Sequence, residues 1–294
     1  MSGQTVLVGT QAAAKPVLRA EGISKSYGAI EAVRDVSLDI GRGEILAIVG
    51  DNGAGKTSLV KILAGALAPD SGRIIVDGVE HSFGSVLEAR RAGVEMVYQD
   101  LALVGPLDVT ANFLLGREVV RSGPLGRLGF LDRRRMRGIV QEELANLSVR
   151  IPKVSGIPVS QLSGGQRQAI AVARAIHWAS KVLMLDEPTA ALGVAQAQSV
   201  LDLVKRARDA GTSVVIISHI LPHVIALADR VVVMRHGRKV ADLAAAQIGS
   251  QQQLIRMIVG LEEGDVPEPA ARDENADGAA ASGPDVASGP DALA

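Results

Sequence analysis

The sequence contains no cysteine, which excludes disulfides, thiolate metal sites and a cysteine nucleophile. Aromatic residues supply only 2% of its 294 residues although 47% are hydrophobic, so a core has to be assembled from valine, isoleucine, leucine and alanine. That composition favours a sheet-and-helix protein over an aromatic-rich β-sandwich. The N-terminal stretch has no basic segment followed by a sustained apolar run, so it does not read as a secretion signal. The most apolar stretch, residues 214–227, is broken by Ser218, His219, Pro222 and His223. It also falls short of the roughly 20 residues that a membrane-spanning helix needs. No segment is expected to cross a bilayer.

What charge there is lies unevenly. The chain carries −1 in total, but residues 262–294 hold nine acidic residues and one basic residue, Arg272, leaving about +7 on the rest. Mild basicity of that kind suits a polyphosphate ligand or a membrane surface. Residues 1–15 read as a flexible leader. Residues 262–294 are dominated by Ala, Gly, Pro, Ser and Asp, with Ser-Gly-Pro-Asp at Ser282 and again at Ser288. Such a segment buries too little apolar surface to offset its ordering entropy and is expected to be disordered.

Residues 16–261 are expected to form the folded domain. Short apolar runs at 44–49, 73–76, 94–98, 181–185, 212–217 and 230–234 read as strands, and they alternate with helical patterns. Residues 132–148 show one: Met136, Ile139, Val140, Leu144 and Leu147 share a face, with Asp132 placed to cap it. Alternation of this type predicts an α/β fold with a parallel-rich sheet covered on both faces. Residues from about 101 to 159 break the rhythm and read as an inserted, mainly helical subdomain.

Three motifs carry chemistry. Gly50-Asp51-Asn52-Gly53-Ala54-Gly55-Lys56-Thr57, followed by Ser58, fits the phosphate-binding pattern G-x-x-x-x-G-K-[ST] and sits between a predicted strand and a helix starting near Gly55. Its glycines let the backbone curl so that successive N–H groups converge on an anion, and the helix adds its positive end. Lys56 is expected to reach the β- and γ-phosphates and the Thr57 hydroxyl to bind Mg²⁺. The apolar strand Val182-Leu183-Met184-Leu185 ends in Asp186 and Glu187, at the strand edge where α/β ligand sites lie. Asp186 is expected to hold Mg²⁺ through water, and Glu187 to polarise an attacking water. At Leu162-Ser163-Gly164-Gly165-Gln166-Arg167, Ser163 can cap a helix whose first turn the two glycines leave bare, a second anion site.

The order of these motifs resembles the ATP-binding cassette (ABC) ATPases, with Leu162–Gln166 as their signature. The resemblance covers about residues 17–260. It implies a P-loop NTPase core, an antiparallel β subdomain and an inserted α-helical signature subdomain at about 101–165. It also implies ATP and Mg²⁺ as ligands, and a dimer in which Leu162, Ser163, Gly164, Gly165 and Gln166 of one chain complete the ATP site of the other. Three further positions follow from it: Tyr27 as the aromatic that stacks on adenine, Gln99 as the Mg²⁺-sensing glutamine that couples to membrane subunits, and His219 as the switch histidine on the γ-phosphate. His223 has no such counterpart and reads as a helix-surface residue.

One position departs from the family pattern. The loop after Pro188-Thr189 usually continues Ser-Ala-Leu-Asp but here reads Ala190-Ala191-Leu192-Gly193. The usual cross-dimer contact of that aspartate is therefore not implied, whereas Asp186 and Glu187 are retained. Together with Leu101-Ala102-Leu103, the run Asn112–Glu118 and Gly50-Asp51-Asn52, this variant resembles the single-cassette ATPases of bacterial simple-sugar importers of the fructose, ribose or xylose type. What that implies is a peripheral subunit on the cytoplasmic face of the inner membrane. Its partners would be a second copy of itself, transmembrane permease subunits and, indirectly, a periplasmic or lipid-anchored sugar-binding protein, but no nucleic acid. The alternatives are an exporter ATPase with the same motor, a non-transport ABC ATPase, or a nucleotide-binding regulator. The long coiled coils, zinc-type cysteines and second cassette of many non-transport relatives are lacking.

Overall fold

In the computed structural model the described residues are 15–190 and 192–261. All but the last residue of the expected leader, Ala191, and the whole of the expected acidic tail lie outside them. Among the described residues ten strands form two sheets: β1 (Leu18–Tyr27), β2 (Ile30–Ile40), β3 (Ile45–Gly50), β4 (Ser71–Val76), β5 (Val79–His81), β6 (Val94–Val97), β7 (Val182–Asp186), β8 (Ser213–Ile217), β9 (Arg230–Arg235) and β10 (Arg238–Ala244). The first sheet is antiparallel, in the order β2-β1-β4-β5. The second runs β10-β9-β3-β8-β7-β6 and is parallel except for its edge strand β10. The helices are α1 (Lys56–Leu63), α2 (Val86–Arg91), α3 (Val109–Phe113), α4 (Pro124–Arg127), α5 (Arg133–Asn146), α6 (Gly164–Trp178), α7 (Val194–Asp209), α8 (Leu221–Leu227) and α9 (Gln251–Val259).

The central strands are buried on both faces, which is why they read as unbroken apolar runs rather than as alternations. Period two divides their side chains. Leu46 and Ile48 of β3, with Val182 and Met184 of β7, enter one core, where α1 and the antiparallel sheet cover them. Ile45, Ala47 and Val49, with Leu183 and Leu185, enter the other, beneath α6, α7 and α8. Thus one face is covered by a second sheet as well as by a helix. Each fully buried Val, Leu or Ile contributes about 1.5–3 kcal/mol through removal from water.

A third core joins α3, α5 and α6. Asp132 caps α5, its carboxylate accepting the Arg135 N–H, while Met136, Val140 and Leu144 point inward. Helix α6 belongs to two cores: Ile170 and Ala173 pack into this third one, Ala171, Val172 and Ala175 into the main one. Helix α6 thus serves both cores with its two apolar faces.

The loop from 101 to 108 is pinned by the buried Asn112 and the half-buried Arg174. The Asn112 side chain accepts the Val104 N–H (2.7 Å) and donates to the carbonyls of Val104, Leu107 and Asp108. Arg174, on α6, donates to the carbonyls of Leu101 and Ala102 (3.1 Å each), two residues held at left-handed φ of 55° and 47°.

Candidate nucleotide-binding site

Parallel strands end at one edge, so β3, β6, β7 and β8 deliver their following residues to a common rim. Behind β3 the chain turns through Gly50–Gly55 into α1. Gly50 has φ 155°, and a Cβ there would lie 2.2 Å from the Met234 carbonyl of β9. At Gly55, φ 95°, a Cβ would lie 2.1 Å from the Ala32 carbonyl. Only glycine fits at either position. Gly55 also caps α1 without any side-chain bond, so the first N–H groups of the helix have no side chain covering them. Lys56 is buried and turns back over the loop, donating to the Gly50 (2.9 Å) and Asp51 (2.8 Å) carbonyls. Burial pushes its ammonium below the usual lysine range, against the pull of Glu187, Asp51 and Asp186.

At the end of β7, Asp186 is buried and accepts a hydrogen bond from Thr57 Oγ1 (3.4 Å), 129 positions away in sequence. Burial raises its carboxyl above the usual range; the Thr57 bond lowers it and Glu187 raises it again. Glu187 follows with φ 54°, a left-handed conformation that costs a non-glycine residue about 1–2 kcal/mol. Its N–H is bonded to the Ile217 carbonyl of β8 (3.0 Å), and its carboxylate pairs with His219 Nδ1. Backbone strain held in place by a neighbouring strand is typical of a side chain that has to be aimed.

These groups surround one cavity of about 770 Å³. Of the residues expected from sequence, all of Gly50–Ser58 line it, together with Gln99, Glu187 and His219. Asp186 lies behind this lining, reached through Thr57. Tyr27, at the end of β1, is half-exposed and is not among the lining residues; that wall is built by Ile30 and Ala32. Glu31, Arg34 and His236 also face the cavity, and the sequence offered no signal for them. They arrive there because the β9–β10 turn is stitched to β2 and to the Gly50 loop: Arg34 N–H to Gly237 carbonyl (2.8 Å), Gly237 N–H to Ala54 carbonyl (3.1 Å).

Leu162–Gln166 lies elsewhere. Leu162 packs into the third core, and Ser163 begins α6 with a capping box, in which its hydroxyl accepts the Gln166 N–H and the Gln166 side chain accepts the Ser163 N–H. Ser163, Gly165 and Gln166 line a separate concavity of about 450 Å³ beside α7. A Cβ on Gly165 would lie 2.6 Å from Gln196 Cγ, so packing within the chain demands that glycine; a Cβ on Gly164 would meet nothing within 4 Å. Gly193 caps α7 without a side-chain bond. His223, expected on the helix surface, is instead half-buried, its Nδ1 3.3 Å from Thr189 Oγ1, because α8 packs beside the loop after Glu187.

The sequence pattern of the ABC transporter family matches residues 33–190, more than half of the chain. The chain belongs to that family. As an ABC protein it is 45% identical over 228 residues to the fructose import ATP-binding protein of Rhizobium meliloti, covering 77% of this chain and 88% of that one. It is 40% identical over 222 residues to the xylose/arabinose import ATP-binding protein of Sulfolobus acidocaldarius, covering 76% and 86%. Its fold is that of the ATP-binding cassettes. One solved dimeric cassette, in a post-hydrolysis state with ADP and phosphate, superposes with a TM-score of 0.66 at 22% identity, over 78% of this chain and 98% of that one.

Proposed function

We propose that this chain is the ATP-hydrolysing subunit of an importer that carries a monosaccharide across the cytoplasmic membrane, working as a pair of identical chains. The observation that carries the hydrolytic part is the convergence of Thr57 with Asp186 beneath the Gly50 loop, with Glu187 and His219 beside them on the same cavity. The likeness to sugar import proteins supports the import part. No helix among the described residues is long and apolar enough to cross a membrane, which suits a subunit that acts through separate permease subunits.

The residues present fit Mg²⁺. A hydroxyl and a single carboxylate leave most coordination to phosphate and water oxygens, which is how this ion is usually bound. Thr57 and Asp186 would hold it, with Gln99 at the rim, and bound there it neutralises charge on the β- and γ-phosphates. Lys56 exchanges the two loop carbonyls for phosphate oxygens, whose negative charge opposes the lowering that burial imposes on its ammonium. Glu187 orients a water in line with the γ-phosphorus. As the new P–O bond forms and the bond to ADP breaks, the water proton passes toward the Glu187 carboxylate. His219 holds that carboxylate in place and faces the γ-phosphate.

The bare N-terminus of α6 does not line the chain's own nucleotide cavity. It would close over the ATP of the second chain, so that phosphate charge bridges two protomers and its loss on hydrolysis releases them. Uptake of labelled fructose, xylose and ribose, measured in cells with and without the gene, tests the import reading. Loss of uptake of one monosaccharide is expected; unchanged uptake of all such sugars would exclude it.

A further inference from the structure

The hairpin that leads into α5 carries charge that neither the nucleotide site nor the cores use. Residues 119–137 contain six arginines, one aspartate and no lysine. The segment folds back on itself: Arg121 N–H donates to the Phe130 carbonyl and Asp132 N–H to the Val119 carbonyl, 2.8 Å each, with Val120 and Leu131 bridged antiparallel. All six arginines are exposed, and none forms an ion pair among the described residues, in contrast to nearby Arg117, which pairs with Glu95. The one carboxylate, Asp132, is engaged in capping α5. Arg121, Arg133, Arg134 and Arg137 surround a single concavity of about 780 Å³, with Phe130 and Leu131 in its lining. Beside it Leu128 is 74% exposed and Phe130 55%. This concavity shares no lining residue with the nucleotide cavity.

Four guanidinium groups around one hollow, none with a carboxylate partner among the described residues, repel one another, and apart from the bond from Arg137 Nε to Ser155 Oγ (3.2 Å) the fold gains no side-chain hydrogen bond from gathering them. An anionic visitor would. Two features select its class. A flat, anionic bilayer surface attracts lysine as well as arginine, whereas protein interfaces enrich arginine and aromatic residues and deplete lysine. A concavity with apolar side chains in its wall also accepts a protruding chain segment better than it accepts a plane of headgroups. We infer that this hollow receives an acidic, apolar-anchored segment of a protein partner. Asp or Glu carboxylates would lie on the planar forks of the arginines, and an aliphatic or aromatic side chain on Phe130 and Leu131. Resting on the transporter reading above, the partner is the permease, touched here at a second place apart from the rim at Gln99.

The test uses the full chain and a fluorescein-labelled peptide, (Glu-Glu-Leu-Phe)₃, followed by fluorescence anisotropy. The same peptide with glutamine for glutamate, and vesicles of phosphatidylcholine with or without phosphatidylglycerol, form the comparison arms. The acidic peptide is expected to bind in a salt-sensitive manner. Its affinity should fall by roughly tenfold or more in the double variant Arg121→Glu/Arg134→Glu, since like charges facing each other across an interface are strongly disfavoured. Phe130→Ser should also weaken it. Neither arginine side chain makes a bond to another of the described residues, so the double variant keeps its fold, checked by unchanged ATP hydrolysis. Equal binding of the glutamine peptide, indifference to the double variant, or binding of anionic vesicles in place of the peptide would each overturn the inference. Absence of ATP hydrolysis by the unaltered chain would instead count against the transporter reading and leave the peptide result standing.

Discussion

Gly164→Ala separates what the fold needs from what the shared site needs. Gly164 is the first residue of α6, it is exposed, and a Cβ there would have open space around it. Within one chain the substitution should be harmless or helpful. Alanine restricts the unfolded chain more than glycine, which adds about 0.4–1 kcal/mol at a compatible position. For a domain of this size that is a rise in Tm of about 1–4 °C. Between two chains, on the proposed shared site, the added methyl would stand where the N–H groups of α6 meet the partner's γ-phosphate. Displacing one such donor lowers turnover by about 10²–10³. Thermal unfolding without nucleotide and steady-state ATP hydrolysis give the two readouts. Gly165→Ala is the contrasting case: its Cβ falls 2.6 Å from Gln196 Cγ, so it should destabilise by about 1–3 kcal/mol, and its loss of activity says nothing specific. The decisive arm mixes Gly164→Ala with Lys56→Ala. One composite site of the mixed pair joins an intact Gly50 loop to an intact signature, so activity absent from either variant alone should return. Wild-type turnover by Gly164→Ala, or no recovery on mixing, would refute a site shared across chains.

Three further outcomes are expected. Glu187→Gln should bind ATP yet turn over about 10²–10⁴-fold more slowly, accumulating a dimer on size-exclusion chromatography with ATP and Mg²⁺; rapid steady-state hydrolysis would remove Glu187 from its role. Gly50→Ala drives a methyl onto the Met234 carbonyl at a φ reserved for glycine, so the nucleotide-free protein should lose about 1–3 kcal/mol, seen as a lower Tm. Asp186→Asn should raise the Tm of the nucleotide-free protein at neutral pH while abolishing Mg²⁺-dependent hydrolysis. The sign follows from the raised folded-state carboxyl. Its charge penalises the fold at pH above the unfolded value of 3.8, and the penalty disappears as pH falls below that value. The stabilisation by asparagine should therefore shrink with acidification, and a gain that grew toward low pH would contradict the assigned burial penalty.

The Gly50 loop, the cap at Ser163 and the cap at Asp132 could be read directly from the sequence because each is a local device. Glycines at fixed spacing, or a hydroxyl three residues from a glutamine, organise backbone N–H groups that lie within one turn of them. The apolar strand before Asp186 was legible for a related reason, since burial on both faces removes every polar residue from it. The pairing of Thr57 with Asp186, by contrast, joins positions 129 apart, and it exists only because β3 and β7 both flank β8 in a parallel sheet. Glu31, Arg34 and His236 came to the cavity through hydrogen bonds between the β9–β10 turn, β2 and the Gly50 loop, contacts that no spacing encodes. By itself the sequence determined the local glycine-rich turn and helix caps and the layers they sit between. Only the tertiary structure decided which strand ends meet at one cavity, and that α6, shared between two cores, presents its bare end away from it, because those choices are made by packing between segments distant along the chain.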